Sequence, residues 1–488
     1  PATQLSNFIA PTAFAGRATS DAQTSSLASA DWRLAPGSEF IDAGESVAGF
    51  ADGTDVAGNP RLVGAAIDRG AYEAQGGEKV PTIVLTFAPG TQAARLGVGG
   101  NGSYEFTIDW GDGVEVAYSS QAYHSHLLAG NTVKIYGDDI IVLNANSQDI
   151  VSADISRASA LIQAQFNTNG MTSLVMGQHP SMTGLYAFGN AITSVDLSGA
   201  PALRVIDLHE NAIEGSIDCS AMNSLSKIDV ADNSISRLVL PKHQVVYEVD
   251  CANNQLTELD VTGLSGLSTL SCGGNMLTSL DLSGLSSVEE IYAAGNMLTS
   301  VDPSPCASLK TLTLAENNLA AIDVSRTPTL QGLYLQNNEL TSLDLSSNAG
   351  VRWLNVQNNR LNALDVTLQT SLSILIASGN NLKEIDLSRN TSISSLDLAA
   401  NALTALDVSA IPYLSQLHME NNAIRSIDLS KNTYLYGLFC GNNGIAELDL
   451  SANTYLQRIE AQGNALTALD ISRNAGLQEL LLQSNKLD

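Results

Sequence analysis

Leu414-Ser-Gln-Leu417-His-Met419-Glu-Asn-Asn422-Ala-Ile424 sets the rhythm that decides the fold of this 488-residue chain. An asparagine recurs at its ninth position sixteen times, at 169, 190, 211, 233, 254, 275, 296, 317, 338, 359, 380, 401, 422, 443, 464 and 485. The step is 21 residues, apart from one of 22 between Asn211 and Asn233. In each unit apolar residues such as Leu417 and Met419 alternate with polar ones, as in a strand with one covered face. The asparagine turns the chain, its side chain bonding backbone groups that no neighbouring strand satisfies. A coil this short cannot bury its own apolar side, so coils must stack in a parallel array. Fifteen steps at ~4.8 Å make a rod of about 70 Å. The far side of each coil has room for turns or 3₁₀ segments, not for a full helix.

The pattern L-x-x-L-x-L-x-x-N-x-L resembles the leucine-rich repeat family, and the resemblance covers residues 139–488. It implies a mainly β solenoid whose corners are structural asparagines, Asn190, Asn254, Asn317, Asn380, Asn422 and Asn464 among them. Cys251, Cys272 and Cys440 fall at the inward position held elsewhere by Met419 or Leu335. Bacterial internalin-like proteins of similar period also place cysteines there, which implies a bacterial secreted or cell-surface protein. Buried free thiols acting as small apolar residues account for them.

A row of aspartates lies six residues after the asparagines, usually as Asp-(Leu/Val/Ile)-(Ser/Thr), as at Asp281, Asp344 and Asp407; Val175 and Val239 interrupt it. Stacked carboxylates repel, so each must gain something local. Accepting backbone N–H bonds at the turn out of the strand is the preferred reading. A calcium-binding edge is the alternative.

Two different segments precede the repeats. Residues 80–138 contain Ile108-Asp109-Trp110-Gly111-Asp112-Gly113-Val114, which reads as strand, tight Asp-Gly turn, strand. With Tyr123-His124-Ser-His126 and Gly130-Asn-Thr-Val133-Lys-Ile135 after it, the stretch resembles a PKD-type β-sandwich. Its place suggests a cap over the open solenoid end. For His124 and His126 packing in a hairpin is preferred over metal binding. Residues 1–77 carry Asp31-Trp32-Arg-Leu-Ala-Pro36-Gly-Ser38-Glu-Phe-Ile41-Asp42-Ala-Gly44 and Asp68-Arg-Gly70-Ala-Tyr72-Glu73. They resemble the terminal coil and cap of right-handed parallel β-helix proteins, with Glu39 where a proline is usual. Only that coil and cap are present and the chain starts at Pro1, which suggests that a β-helix lay upstream; the stop at Asp488 within a repeat suggests a continuation or a frayed end.

Composition narrows the function. Hydrophobic residues make up 44% of the chain, at a mean hydropathy of +0.06, which excludes a largely disordered protein. No apolar run reaches the ~20 residues that span a bilayer. Lys and Arg total 23 against 50 Asp and Glu, a formal charge of −27, so nucleic acid and anionic membrane are poor partners. The five cysteines form no C-x-x-C pair, so neither a disulfide framework nor a zinc site is expected. Gly97-Val-Gly99-Gly-Asn-Gly102 is followed by a strand-like run, not by the helix a dinucleotide site needs. No catalytic residues and no cofactor are readable, calcium apart.

Binding belongs on the strand face, at positions six, four and two before each asparagine. Asp207, Asp229 and Asp250 stand there on adjacent coils, beside Glu248 and His209, as an acidic patch for a basic peptide or calcium, against the alternative of a solvated surface. Tyr292, Tyr334 and Trp353, with Ile374 nearby, form an aromatic patch, and His418 and Phe439 lie further along. Flat aromatics bury area at low entropic cost and suit protein or sugar; scattered surface apolarity is the alternative. The expectation is a non-enzymatic adhesion module of an extracellular or surface protein, monomeric, holding a protein or glycan. The alternatives are the targeting part of a polysaccharide-acting β-helix enzyme, or a bare spacer.

Overall fold

Most coils supply one three-residue strand, and Gln416–His418 shows the plan: Leu417 is buried and its two neighbours are half-buried. Leu396, Leu417 and Leu438 lie side by side in parallel register, and all three are fully buried. Burying such a leucine contributes roughly 1.5–3 kcal/mol. One coil has nothing to bury it against. The neighbouring coils provide the cover.

The computed structural model describes residues 79–100, 105–119 and 122–487, together with two short strands nearer the start, β1 (Phe8–Ala10) and β2 (Asp31–Leu34), paired antiparallel. The chain divides into two units, Pro1–Val80 and Pro81–Asp488. Those strands apart, the β-helix reading of residues 1–77 falls outside the described residues. Every regular element among the described residues is a strand.

The second unit begins with β3 (Ile83–Phe87), β4 (Ala93–Gly100), β5 (Phe106–Asp109), β6 (Glu115–Tyr118), β7 (Ala122–Leu127) and β8 (Thr132–Tyr136). The first coils then give β9 (Ile140–Asn144), β10 (Ile150–Asp154), β11 (Gln163–Gln165) and β12 (Ser173–Val175). Strand β9 pairs in parallel with β11, and the row continues coil by coil to Glu479–Leu481. At its first edge β4 pairs antiparallel with β9 and carries β7 on its other side. On the opposite wall β10 pairs in parallel with β12 and antiparallel with β3. Both walls of the first coil thus run on into the preceding segment, which leaves neither edge unpaired. The Asp-Gly turn is present: β5 and β6 pair antiparallel, and Asp109 Oδ1 accepts the Gly111 and Gly113 N–H groups at 2.9 Å.

The corner asparagines join coil to coil. Asn317 Nδ2 donates to Ala293 O of the preceding coil (3.0 Å) and to Leu314 O and Ala315 O of its own (3.1 Å each). Its Oδ1 accepts the Leu298 N–H at 3.0 Å. Asn190, Asn254, Asn380, Asn422 and Asn464 repeat this bonding. The residue just before each corner lies in the left-handed region: Gly274 and Gly379, Asn253 and Asn421, and also Ala400 at φ 52°. Glycine and asparagine enter that region at little cost, which explains the frequent Gly-Asn and Asn-Asn pairs.

A second polar spine runs down the opposite side. Asn348, Asn390, Asn432, Asn453 and Asn474 are almost fully buried, and each donates from Nδ2 to carbonyls of the preceding coil, as Asn390 does to Val366 O (2.7 Å) and Gln369 O (3.0 Å). Their Oδ1 atoms find no partner among the described residues. The insertion after Asn211 falls where Glu214–Asp218 and Ser234–Val239 pair as a separate two-stranded sheet.

Candidate functional site

Alternation along each three-residue strand turns the residues six and four before a corner away from the core. In Trp353–Asn355 the first is exposed, Leu354 is buried and Asn355 is half-buried. In-register stacking then places like positions in rows across the face.

Tyr292, Tyr334 and Trp353 come together around one cavity of about 400 Å³, completed by Thr311, Thr313, Gly332 and Gln336. The register explains the shape. Glu290, Thr311, Gly332 and Trp353 form one row, and Tyr292, Thr313 and Tyr334 the next. Small side chains floor the slot and aromatic rings wall its two ends. Gly332 favours this packing: a Cβ there would stand 3.1 Å from Tyr334 Cε2, and without one the ring lies back over the glycine. Tyr186 over Gly184 and Phe439 over Gly437 repeat the arrangement. At the other end the Tyr292 hydroxyl donates to Glu290 Oε2 at 3.1 Å. Partial burial, and then that carboxylate, raise the Tyr292 pKa.

Asp207, Asp229 and Asp250 stand in one row on adjacent strands. Burial, reinforced by the Asp250 and Asp207 charges, pushes the Asp229 carboxyl up to about 6, although the Ala231 N–H and His209 act against it. Asp250 is raised as well, mainly by burial. His209 Nδ1 lies 2.6 Å from Asp207 Oδ1 and 3.7 Å from Asp229 Oδ2, and its ring stacks on Phe188 at 4.6 Å. Ligand atoms of Asp207, His209 and Asp229 all fall within 4.8 Å of one another, close enough to surround a divalent cation. Lys227 pairs with Glu248 at 2.7 Å beside them.

His418 and Phe439 stack face to face at 4.0 Å, with the Arg458 guanidinium 5.3 Å from the Phe439 ring centre. A hydrogen bond to Glu420 raises the His418 pKa. These residues lie several strands beyond Trp353 and do not join the slot. The eight residues singled out in the sequence therefore fall into three groups on one face.

The aspartate row sits elsewhere. Asp281, Asp344 and Asp407 accept the N–H two residues on through Oδ1, at 2.8–2.9 Å. For Asp344 and Asp407 the bonds to Ser346 and Ser409 hold the carboxyls below the usual range. Tyr413, Tyr434 and Tyr455 are more than half exposed, and the Tyr413 and Tyr434 rings are tilted 6.1 Å apart. They follow the buried spine outside the strand, where no coil covers them. His124 packs on Phe106 and Tyr118, and His126 on Trp110. All five cysteines are free and buried, and burial pushes the Cys272 and Cys440 thiols up to about 12.

Sequence reasoning missed the partners that shape these sites: Thr311, Thr313, Gly332 and Gln336 around the slot, Glu290 bonded to its Tyr292 wall, and Phe188 behind His209. The tripeptides Gly184-Leu-Tyr186, Gly332-Leu-Tyr334 and Gly437-Leu-Phe439 were the readable signal, since glycine lets the ring lie back over the strand.

The architecture is that of a leucine-rich-repeat solenoid: all-β among the described residues, parallel, with coils of about 21 residues. It is similar to the functional domain of InlJ from Listeria monocytogenes, which includes a cysteine ladder, at 26% identity and a TM-score of 0.56 over 73% of this chain and 70% of that one. It also resembles the Leptospira interrogans leucine-rich repeat protein LIC12759 (22% identity, TM-score 0.56, 71% and 90% covered). YopM from Yersinia enterocolitica WA-314 shares the fold (24%, 0.51, 68% and 71%). No protein-family model and no curated protein matches the chain. Among the described residues no helix is long and apolar enough to cross a membrane.

Proposed function

We propose that this chain is a non-enzymatic binding module of a secreted or surface-displayed bacterial protein, which holds a protein partner on its strand face. The observation that carries the reading is the slot, where three large aromatics from separate coils share one cavity on the strand face. A surface that serves only as a spacer has no use for Trp353 at 39% exposure and Tyr292 at 37%. Stacked coils supply the rigidity, so little ordering entropy is lost when a partner docks. The β4/β7 and β3 strands act as a PKD-like cap that keeps the first coil paired. The InlJ likeness supports the same reading. The test is a protein and glycan array probed with wild type and Trp353→Ala. The variant should lose at least ~1–2 kcal/mol of affinity for a captured protein with an unchanged melting temperature. Equal binding by both proteins removes the slot from the account.

A further inference from the structure

The charge on the strand face specifies what the partner brings. Across the columns six, four and two before the corner asparagines, Lys227 and Arg458 are the only Lys or Arg. Both are engaged within the face, Lys227 with Glu248 at 2.7 Å and Arg458 with Glu460 and Glu479 at 2.5 and 3.1 Å. Among the described residues Glu290, Asp229 and Asp250 form no ion pair with a Lys or Arg, although Lys227 lies close enough to Asp229 to feel its charge. Glu290 stands where the slot begins, and its carboxylate is bonded to the hydroxyl of one slot wall, Tyr292. An aromatic-walled slot with a carboxylate at one end suits a guanidinium, which stacks flat on a tyrosine ring and meets a carboxylate with paired N–H groups. A lysine ammonium offers neither the plane nor the fork.

We infer that the face takes a basic polypeptide segment: one arginine enters between Tyr292 and Tyr334 with its guanidinium on Glu290, and a second cationic side chain lies on Asp229 and Asp250. The coil spacing sets the distance between the two positions. Asp250 and Asp229 are two and three strands from Glu290, which at ~4.8 Å per strand is roughly 10–14 Å. An extended peptide advances ~3.3 Å per residue, so its two basic residues stand three or four apart. This inference rests on the strand face being the binding surface and adds the chemistry of its occupant.

The test uses a labelled peptide with two arginines four residues apart in a neutral background, read by anisotropy and by the change in tryptophan emission. The comparison peptide has both arginines replaced by citrulline, which keeps the shape and removes the charge. Binding should weaken at least tenfold with citrulline, with Glu290→Gln and with added salt, while the melting temperature of the variant stays at the wild-type value. Asp250→Asn should also weaken it. Absence of binding by the arginine peptide, or affinity indifferent to citrulline and to Glu290→Gln, overturns the inference. An array partner that needs Trp353 but carries no basic segment leaves the binding face standing and removes the cationic occupant. An arginine peptide that needs Glu290, beside an array partner indifferent to Trp353→Ala, retains the cationic slot and removes the proposed module.

Discussion

Replacing Asn317 by alanine tests the joint between coils. The side chain is 7% exposed and makes four hydrogen bonds: to Ala293 O, Leu314 O and Ala315 O, and from the Leu298 N–H. Two of these reach the preceding coil, and no other side chain stands ready to replace them. At a net ~1 kcal/mol for each bond lost within a buried site, the substitution costs about 4 kcal/mol. Because each coil contacts only its neighbours, the position of the lesion matters. Asn317 lies mid-array, so its loss weakens the coupling of the two halves. Asn464→Ala removes a similar set of bonds near the end of the described strands, and should mainly fray the last coil. Urea denaturation followed by circular dichroism reads both, through the midpoint and the slope. Asn355→Ala is the control: it sits on the strand face and loses one bond, from the Gln357 N–H at 3.1 Å. A loss below ~1 kcal/mol for Asn317→Ala, or one equal to that of Asn355→Ala, would refute the reasoning.

Three further outcomes follow from the same geometry. Asn390→Leu should cost about 2 kcal/mol, half the loss at Asn317, because it gives up two donated bonds while removing a buried oxygen without a partner, and the neighbouring coil already carries Ile411 in that column; thermal unfolding compares it with Asn317→Ala. Asp229→Asn should stabilise the protein at pH 8, by up to about 3 kcal/mol for a carboxyl raised from 3.8 to about 6. The folded carboxyl titrates near 6, above its unfolded value, so ionised Asp229 opposes folding at high pH; the gain should fade as pH drops through 6 and vanish below about 4, as melting temperatures across that range would show. Ala400→Gly should raise stability by about 1 kcal/mol, since alanine at φ 52° is strained and glycine is not; chemical denaturation checks the sign.

The solenoid was legible because its joint is a single residue type. An amide that both donates and accepts at a tight corner has few substitutes, so the 21-residue period stands out in the sequence. The strand face followed from counting back from Asn359 to Trp353 and Asn355. The Asp109–Gly113 turn was readable for a similar reason, since its bonds are local. The second spine was not readable. Asn348, Asn390 and Asn432 share their column with Thr327, Gln369, Cys306 and Ile411, because a corner that needs only donation to the preceding coil tolerates many residues. The aromatic walls of the slot were readable as a patch, but its floor was not: register sets Gly332 beside Trp353, and Tyr334 folds back over it. The pairing of β3 with β10 joins residues more than sixty apart, and no local pattern announces it.

The central claim is that the strand face, and no other surface, holds the partner. Two triple variants test it with a protein captured by the wild type: Tyr292, Tyr334 and Trp353 changed to serine, and Tyr413, Tyr434 and Tyr455 changed to serine. Both remove three exposed or half-exposed aromatics, and surface plasmon resonance measures the affinity that remains. The account predicts that the first set abolishes binding and the second leaves it within twofold of wild type. Full affinity without the slot, or its loss with the outer tyrosines, would contradict it.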